Sequence, residues 1–314
     1  MAYLREVDFS DLYLEHELEN SRIRGQEAGG DLCPVHDDLM GDVKRLYETV
    51  KAQFRNMPNA HEFSIPFDDV MYRVTVINDV RQMVFALRRG ALKVPPLEEC
   101  GIPSIIIDRI MGLKCGMVLF AGSFGVGKTT SASAYALAYS MQGGLVITLE
   151  DPPELSLSGD HGHGRILQVQ INRADIDAEI ESTMRMNFDM LFLSEIRTSM
   201  LASETINASV NGKLIVSTIH ADSAVSAVSR LVSLATGNGS AEKDSAASRV
   251  LREMMGQGLA AVLFLSKNSD GQRSATEILL GTQNVKSKIY QGEYSRLQDD
   301  VRQLAAQLKN GLPF

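Results

Sequence analysis

The sequence predicts an α/β protein with a mostly parallel sheet, and three observations carry that prediction. An apolar run, Met117 to Ala121, leads straight into a glycine-rich loop that opens a helix-forming stretch. Behind it, apolar strand-length runs and helical stretches alternate regularly. The apolar runs are short and end abruptly in polar or charged residues, as do strands buried on both faces of a parallel sheet.

Composition sets the bounds. A chain of 314 residues, 44% hydrophobic and 22% charged, suggests about two domains with real cores. The net charge of −8 argues against a surface built to hold nucleic acid nonspecifically, so no direct nucleic-acid partner is expected. Cys33, Cys100 and Cys115 are scattered and spell neither a zinc site nor a disulfide framework. The first residues carry acids throughout, and nowhere do eighteen apolar residues run together. The expectation is a cytoplasmic, unprocessed protein that reaches a membrane only peripherally, through a partner.

In chain order, Phe9 to Glu15 and Met71 to Ile77 read as strands by alternation, and Asp42 to Gln53 as a helix carrying Val43, Leu46, Tyr47 and Val50 on one face. Gly25 to Asp38 reads as a loop. Val94-Pro95-Pro96 interrupts regular structure, because proline lacks the N–H and restricts its predecessor, and divides residues 1–93 from 94–314. Then come strand Met117 to Ala121, helix Thr129 to Met141, the Gly143-Gly144 turn and strand Leu145 to Leu149. Met190 to Leu193 and Leu214 to Thr218 are further strands. From Ala246 the chain is mostly helical, with a strand pair around Val262 to Phe264 and Thr276 to Leu280.

The loop comprises Gly122, Ser123, Phe124, Gly125, Val126, Gly127, Lys128, Thr129 and Thr130, and satisfies G-x-x-x-x-G-K-[ST]. Its glycines let backbone N–H groups curl inward, and the following helix offers its positive end, so the loop suits a triphosphate. Lys128 would reach the β- and γ-phosphates, the Thr129 hydroxyl would ligate Mg²⁺, and Thr130 falls inside the helix. ATP and Mg²⁺ are the expected ligands.

Ligands of open α/β sheets sit beyond the carboxyl ends of the strands. Three strand ends here deliver chemistry: Glu150-Asp151-Pro152-Pro153-Glu154, Ser194-Glu195-Ile196-Arg197 and Ile219-His220-Ala221-Asp222. Glu195 is placed to orient or deprotonate an attacking water and to approach the metal. Glu150, Asp151 and Glu154 form an acid cluster whose mutual repulsion calls for a cation, with nucleotide-bound Mg²⁺ the natural one. His220 could sense the γ-phosphate or donate to Glu195. Arg73, Arg81, Arg88 and Arg89, in the first third, could stabilise a transferring phosphoryl group from a neighbouring domain or subunit. His161 and His163 read as a flexible loop lacking the further ligands a metal site needs.

Together these segments resemble the secretion and pilus ATPase family, the ring-forming motors of type II and type IV secretion, conjugation and type IV pili. Four boxes stand in order: the phosphate loop; an aspartate box from Ile147 to Glu154; a Walker B segment from Asp189 to Arg197; and a histidine box from Ser217 to Ala224. The resemblance implies a PAS-like α+β amino-terminal domain over 1–93 and a RecA-like ATPase motor over 94–314. It makes Glu195 the catalytic carboxylate, supported by Glu154 and Glu150, and has His220 couple phosphate state to movement. Arg73, Arg81 and Arg88 would reach the nucleotide, and Arg230 also matches. Ser194, Asn187-Phe188, Thr198 and Met200 depart from the family pattern and mark a divergent branch. The missing four-cysteine element points to a retraction-like pilus motor or a type IVB secretion or conjugation motor.

The resulting expectation is a homohexameric ATPase that works with an inner-membrane platform or secretion-channel protein. Two alternatives stay open: a nucleic-acid translocase or helicase on the same core, whose hydrolysis DNA would stimulate with steep salt dependence, and a nucleotide sensor without turnover.

Overall fold

Alternation and continuous burial divide the strands into two sheets, as the computed structural model shows for residues 3–25, 30–91, 93–171, 175–237, 246–268 and 270–311. The chain forms two units, Met1–Val94 with Asp151–Ser156, and Pro95–Glu150 with Leu157–Phe314.

The amino-terminal unit is α+β. Strands β1 (Asp11–Leu14), β2 (Arg22–Arg24) and β3 (Leu32–Pro34) precede helix α1 (Met40–Asn56), followed by β4 (Glu62–Phe67), β5 (Val70–Asn78) and β6 (Met83–Arg89). All pairings are antiparallel, in the order β3-β2-β1-β6-β5-β4. One sheet face meets α1 through Leu12, Leu14, Phe63, Ile65, Phe85 and Leu87 against Val43, Leu46, Tyr47 and Val50, as period-two strands and a 3.6-period helix require. Part of the expected loop Gly25 to Asp38 is strand: Leu32–Pro34 pairs with β2, while residues 26–29 lie outside the described ones. The segment Asp151–Ser156 belongs to this unit because Ser64 Oγ donates to the Pro153 carbonyl (2.6 Å) and Arg73 to Glu154 (2.8 Å).

The second unit begins with a 3₁₀ turn, Leu97–Cys100, and α2 (Ser104–Met111). Then follow β7 (Gly116–Gly122), α3 (Lys128–Met141), β8 (Leu145–Glu150), β9 (Gly159–His161), β10 (Gly164–Gln170), α4 (Ile176–Met184), β11 (Met190–Glu195), α5 (Ser199–Ser209), β12 (Leu214–His220) and α6 (Ala224–Ala235). The unit ends with α7 (Ala246–Gly258), β13 (Leu259–Lys267), β14 (Arg273–Leu280), α8 (Gln283–Gln291) and α9 (Leu297–Asn310). Sheet order is β14-β13-β7-β12-β11-β8-β10-β9, parallel throughout except for the two edge hairpins. The His161 and His163 segment is one of those hairpins rather than a flexible loop: β9 pairs with β10, and His161 Nε2 lies 2.7 Å from the Leu157 carbonyl.

Helix α3 covers one face of this sheet, where Phe120 meets Tyr135. The opposite face, with Met117, Leu119, Ile147, Leu191, Leu193 and Ile215, packs against α5, α6 and neighbouring helices. Both faces are therefore dry, and only strand ends are left to present polar groups. No helix among the described residues is long and apolar enough to cross a membrane.

Candidate active site

The glycine-rich loop leaves the carboxyl end of β7 and curls into α3 with positive φ at Gly125 (71°) and Gly127 (97°), a region L side chains rarely enter. Lys128 opens the helix and is 7% exposed; its Nζ donates to the Ser123 carbonyl at 3.0 Å, so the lysine folds back over the loop. Thr129 and Thr130 follow, half-buried in the first turn. Phe124 stands out at the tip, 87% exposed. A ring of N–H groups, one ammonium and a helix amino terminus together suit an anion with several oxygens.

Beside β7 lies β12, in a register that sets His220 opposite Gly122, and the Ala221 N–H continues the contact to the Gly122 carbonyl (3.4 Å). His220 is thus at the root of the loop. Beyond β12 comes β11, whose end is irregular: Phe192 sits opposite Val216, yet Glu195 sits opposite Thr218. Three residues of advance on one strand match two on the other, a β-bulge.

The bulge decides where the carboxylate points. Under strict alternation Glu195 would share a face with Leu191 and Leu193, the face turned away from α3. The extra residue turns it onto the face of Thr218 and His220, the one that carries α3 and the loop. Two bonds hold the bulge: Ser217 Oγ donates to the Ser194 carbonyl (2.7 Å) and the Ile196 N–H to the Thr218 carbonyl (2.8 Å). Arg197 then fixes the carboxylate, its Nε and Nη2 both on Glu195 Oε2 at 3.0 and 2.5 Å.

Glu150 ends β8 on the same face and is 3% exposed. Its Oε1 accepts from Thr148 Oγ1 and from Gln168 Nε2, each at 2.8 Å. Glu154 has a different environment. It belongs to the amino-terminal unit, where Arg73 Nη2 binds its Oε1 at 2.8 Å. No group of three or more His, Cys, Asp or Glu residues is placed to hold a metal among the described residues. Any Mg²⁺ here would depend on phosphate oxygens, water and one or two protein oxygens, a coordination this ion favours.

Of the sequence-predicted residues, Gly122 to Thr130, His220, Glu195 and Glu150 gather on one edge and face of the second unit's sheet. Arg73, Arg81 and Arg88 lie in the amino-terminal unit. There Arg73 also approaches Glu62 (3.8 Å), Arg88 pairs with Asp11 (3.1 Å), and Arg81 is exposed in the turn between β5 and β6. Arg89 serves its own unit, donating to the Val7 and Arg5 carbonyls. Arg230 is exposed on α6. Sequence reasoning missed Thr148 and Gln168, although Thr148 lies two residues before Glu150 and so on its face. It also missed Glu277, whose carboxylate accepts from the Ala224 N–H (2.8 Å) at the start of α6.

A parallel sheet with a phosphate-type loop at the carboxyl end of one strand is the arrangement of an α/β nucleotide-binding protein. Residues 104–304 match the family described as "Type II/IV secretion system protein", and the chain belongs to that family of secretion and pilus motor ATPases. It is 26% identical over 303 residues to the type IV pilus ATPase PilU of Pseudomonas aeruginosa, covering 92% of this chain and 75% of that one. A type II secretion relative shares 33% identity over 144 residues, only 29% of its own length. In fold, the chain is similar to the pilus retraction motor PilT crystallised with ADP (TM-score 0.72, 19% identity, 94% of this chain and 86% of that one). It is also similar to the ATPase DotB of Legionella pneumophila (TM-score 0.69, 18% identity, 96% and 85%).

Proposed function

We propose that this chain hydrolyses ATP as the motor subunit of a secretion, conjugation or type IV pilus machine. One observation carries the reading: the bulge in β11 turns Glu195 onto the sheet face that holds the loop and His220.

Lys128 exchanges the Ser123 carbonyl for phosphate oxygens, and the loop amides with the positive end of α3 hold the remaining charge. Bound Mg²⁺ would neutralise β- and γ-oxygens, and Thr129 is the side chain placed to hold it, with Glu195 nearby on the same face. Glu195, fixed by Arg197, orients a water for in-line attack and accepts its proton. His220, at the loop root, registers whether the terminal phosphate is present and passes that state to α6. Glu150, held by Thr148 and Gln168, keeps the strand end rigid. Arg81 is the amino-terminal arginine most readily offered to phosphate, while Arg73 and Arg88 would first exchange carboxylate partners.

The working assembly in this reading is a homohexamer at the cytoplasmic face of an inner-membrane platform or secretion-channel protein. Membership of the family supports that reading, and the name of PilU favours a pilus motor. Phosphate release from Mg-ATP is the test. Glu195→Gln should lower turnover by about a hundredfold or more while nucleotide still binds, and Lys128→Ala should abolish binding. Wild-type protein that assembles yet leaves ATP intact would end the proposal.

A further inference from the structure

Arg273 is absent from every sequence motif above, yet it reaches the glycine-rich loop from the far edge of the sheet. It opens β14, the outermost strand, two places from β7. Its Nη1 lies 3.4 Å from the Gly127 carbonyl and its Nη2 3.6 Å from Cys100 Sγ. That carbonyl is the first of helix α3 and also accepts from the Ser131 N–H (3.0 Å).

The fit is steric as well as polar. Gly127 has φ +97°, and a Cβ there would stand 2.3 Å from Arg273 Nη1 and 3.1 Å from its Cδ. The guanidinium thus occupies the space that a side chain on the loop's last glycine would need. The other end of the arrangement is equally close. The Ala275 N–H donates to the Gly101 carbonyl (2.9 Å), and a Cβ on Gly101 would lie 2.2 Å from the Arg273 carbonyl. The turn Leu97–Cys100 with Gly101, the first element of its unit, is therefore joined to β14 by backbone and to the loop through one side chain.

Charge adds a third consideration. Arginine cannot shed its proton, and among the described residues Arg273 forms no ion pair with a carboxylate. It sits instead at the positive end of a helix, beside a buried thiol whose pKa burial pushes up and Arg273 draws down. A cation in that place adds to the positive potential at the start of the helix and so favours an arriving anion.

We infer that Arg273 is a positioning residue for the nucleotide loop: it holds Gly127 in its curled conformation and links the loop to the 97–101 turn, thereby setting affinity for the polyphosphate. The inference rests on the nucleotide-binding role proposed above for that loop. Because Arg273 acts through Gly127 and not on the water or the leaving group, its loss belongs in binding and not in turnover.

The test compares the full-length wild type, Arg273→Ala, Arg273→Lys and Lys128→Ala, using fluorescent ADP and ATP analogues for binding and phosphate release for kinetics. Thermal unfolding identifies folded variants. Arg273→Ala should raise Kd and KM about tenfold with kcat within about threefold. Arg273→Lys keeps the charge but loses the planar fork, and should recover less than half of the lost affinity on a logarithmic scale. Should Arg273→Ala not fold, Arg273→Lys alone decides: weakened binding upholds the inference, wild-type binding overturns it. Wild-type Kd and KM in Arg273→Ala, full rescue by lysine, or a kcat defect at unchanged KM each overturns it too. Those results leave the nucleotide reading intact, whereas a wild type that binds neither analogue overturns both.

Discussion

The two sheets of this protein put their charged groups in opposite kinds of place. In the amino-terminal unit β1 alternates half-buried and buried residues, and Arg73 and Arg88 lie partly exposed, paired with carboxylates across neighbouring strands or from the 151–156 segment. In the second unit β7 and β12 are buried along nearly their whole lengths, and the polar groups collect at one end. A sheet wetted on one face can carry charge anywhere on that face at little cost. A sheet dry on both faces can carry it only where strands stop, which collects Glu150, Glu195 and His220 at the sheet end from which the loop also leaves.

The largest effect expected from this contrast concerns the strand end that breaks alternation. Inserting one alanine between Ser194 and Glu195 moves the carboxylate on by one place and, with β11 kept in register and its bulge retained, sets Glu195 opposite Ile219, on the face of Leu191 and Leu193. Hydrolysis should fall as far as in Glu195→Gln, by about a hundredfold or more. Binding of a fluorescent ATP analogue should survive within a few-fold, since the loop is on another strand. An insertion variant that keeps near-wild-type turnover would show that the face Glu195 takes at the end of β11 does not aim the carboxylate.

Stability should differ between the sheets in the same sense. Ile215 is fully buried in β12, and Ile215→Ala should cost about 3 kcal/mol by denaturant unfolding, from lost transfer and an unfilled cavity. Ile77, in β5, is 41% exposed, and Ile77→Ala should change stability by less than about 1 kcal/mol. Equal losses at both positions would contradict the distinction between a doubly covered and a singly covered sheet.

Periodicity made the parallel core of the second unit legible, because runs such as Leu214 to Thr218 can be little else when a loop signal precedes them. The loop could be read to the residue, since its chemistry lies in consecutive positions. The bulge could not, because alternation continues through Leu193-Ser194-Glu195 and only pairing with β12 exposes the extra residue. Short edge elements failed for a related reason. Strands of three residues, such as Leu32–Pro34 and Gly159–His161, are too brief to show a period and are set by partners far off or across a tight turn. Arg273 was invisible because its partners, Gly127 and Cys100, lie 146 and 173 residues away.

A smaller effect belongs to the amino-terminal core. Burial pushes the Tyr72 phenol up to about 12, with nearby Arg89 opposing the shift. The folded state thus favours the neutral phenol more than the unfolded chain does. That contribution is complete below the unfolded value of about 10 and is lost as pH rises through about 12. Its hydroxyl has no hydrogen-bond partner among the described residues. Tyr72→Phe should therefore fold at least as well at pH 7 and lose less stability at alkaline pH, read from denaturant midpoints between pH 8 and 11. An unchanged alkaline slope would place the titration elsewhere.

The smallest effect tests whether the paired charges of the amino-terminal sheet support structure at all. Arg73 and Glu154 meet at 2.8 Å, but both side chains are substantially exposed, so solvent screens the attraction and ordering two long side chains offsets part of it. A double-mutant cycle with Arg73→Ala and Glu154→Ala should give a coupling energy below about 1 kcal/mol, shrinking further at 0.5 M salt. Arg73 is also a candidate for phosphate, and a weak pair is what such a role needs, because a guanidinium must leave one anion to meet another. A coupling of several kcal/mol, insensitive to salt, would make the pair a fixed strut holding the 151–156 segment and would remove Arg73 from the residues that could serve the nucleotide.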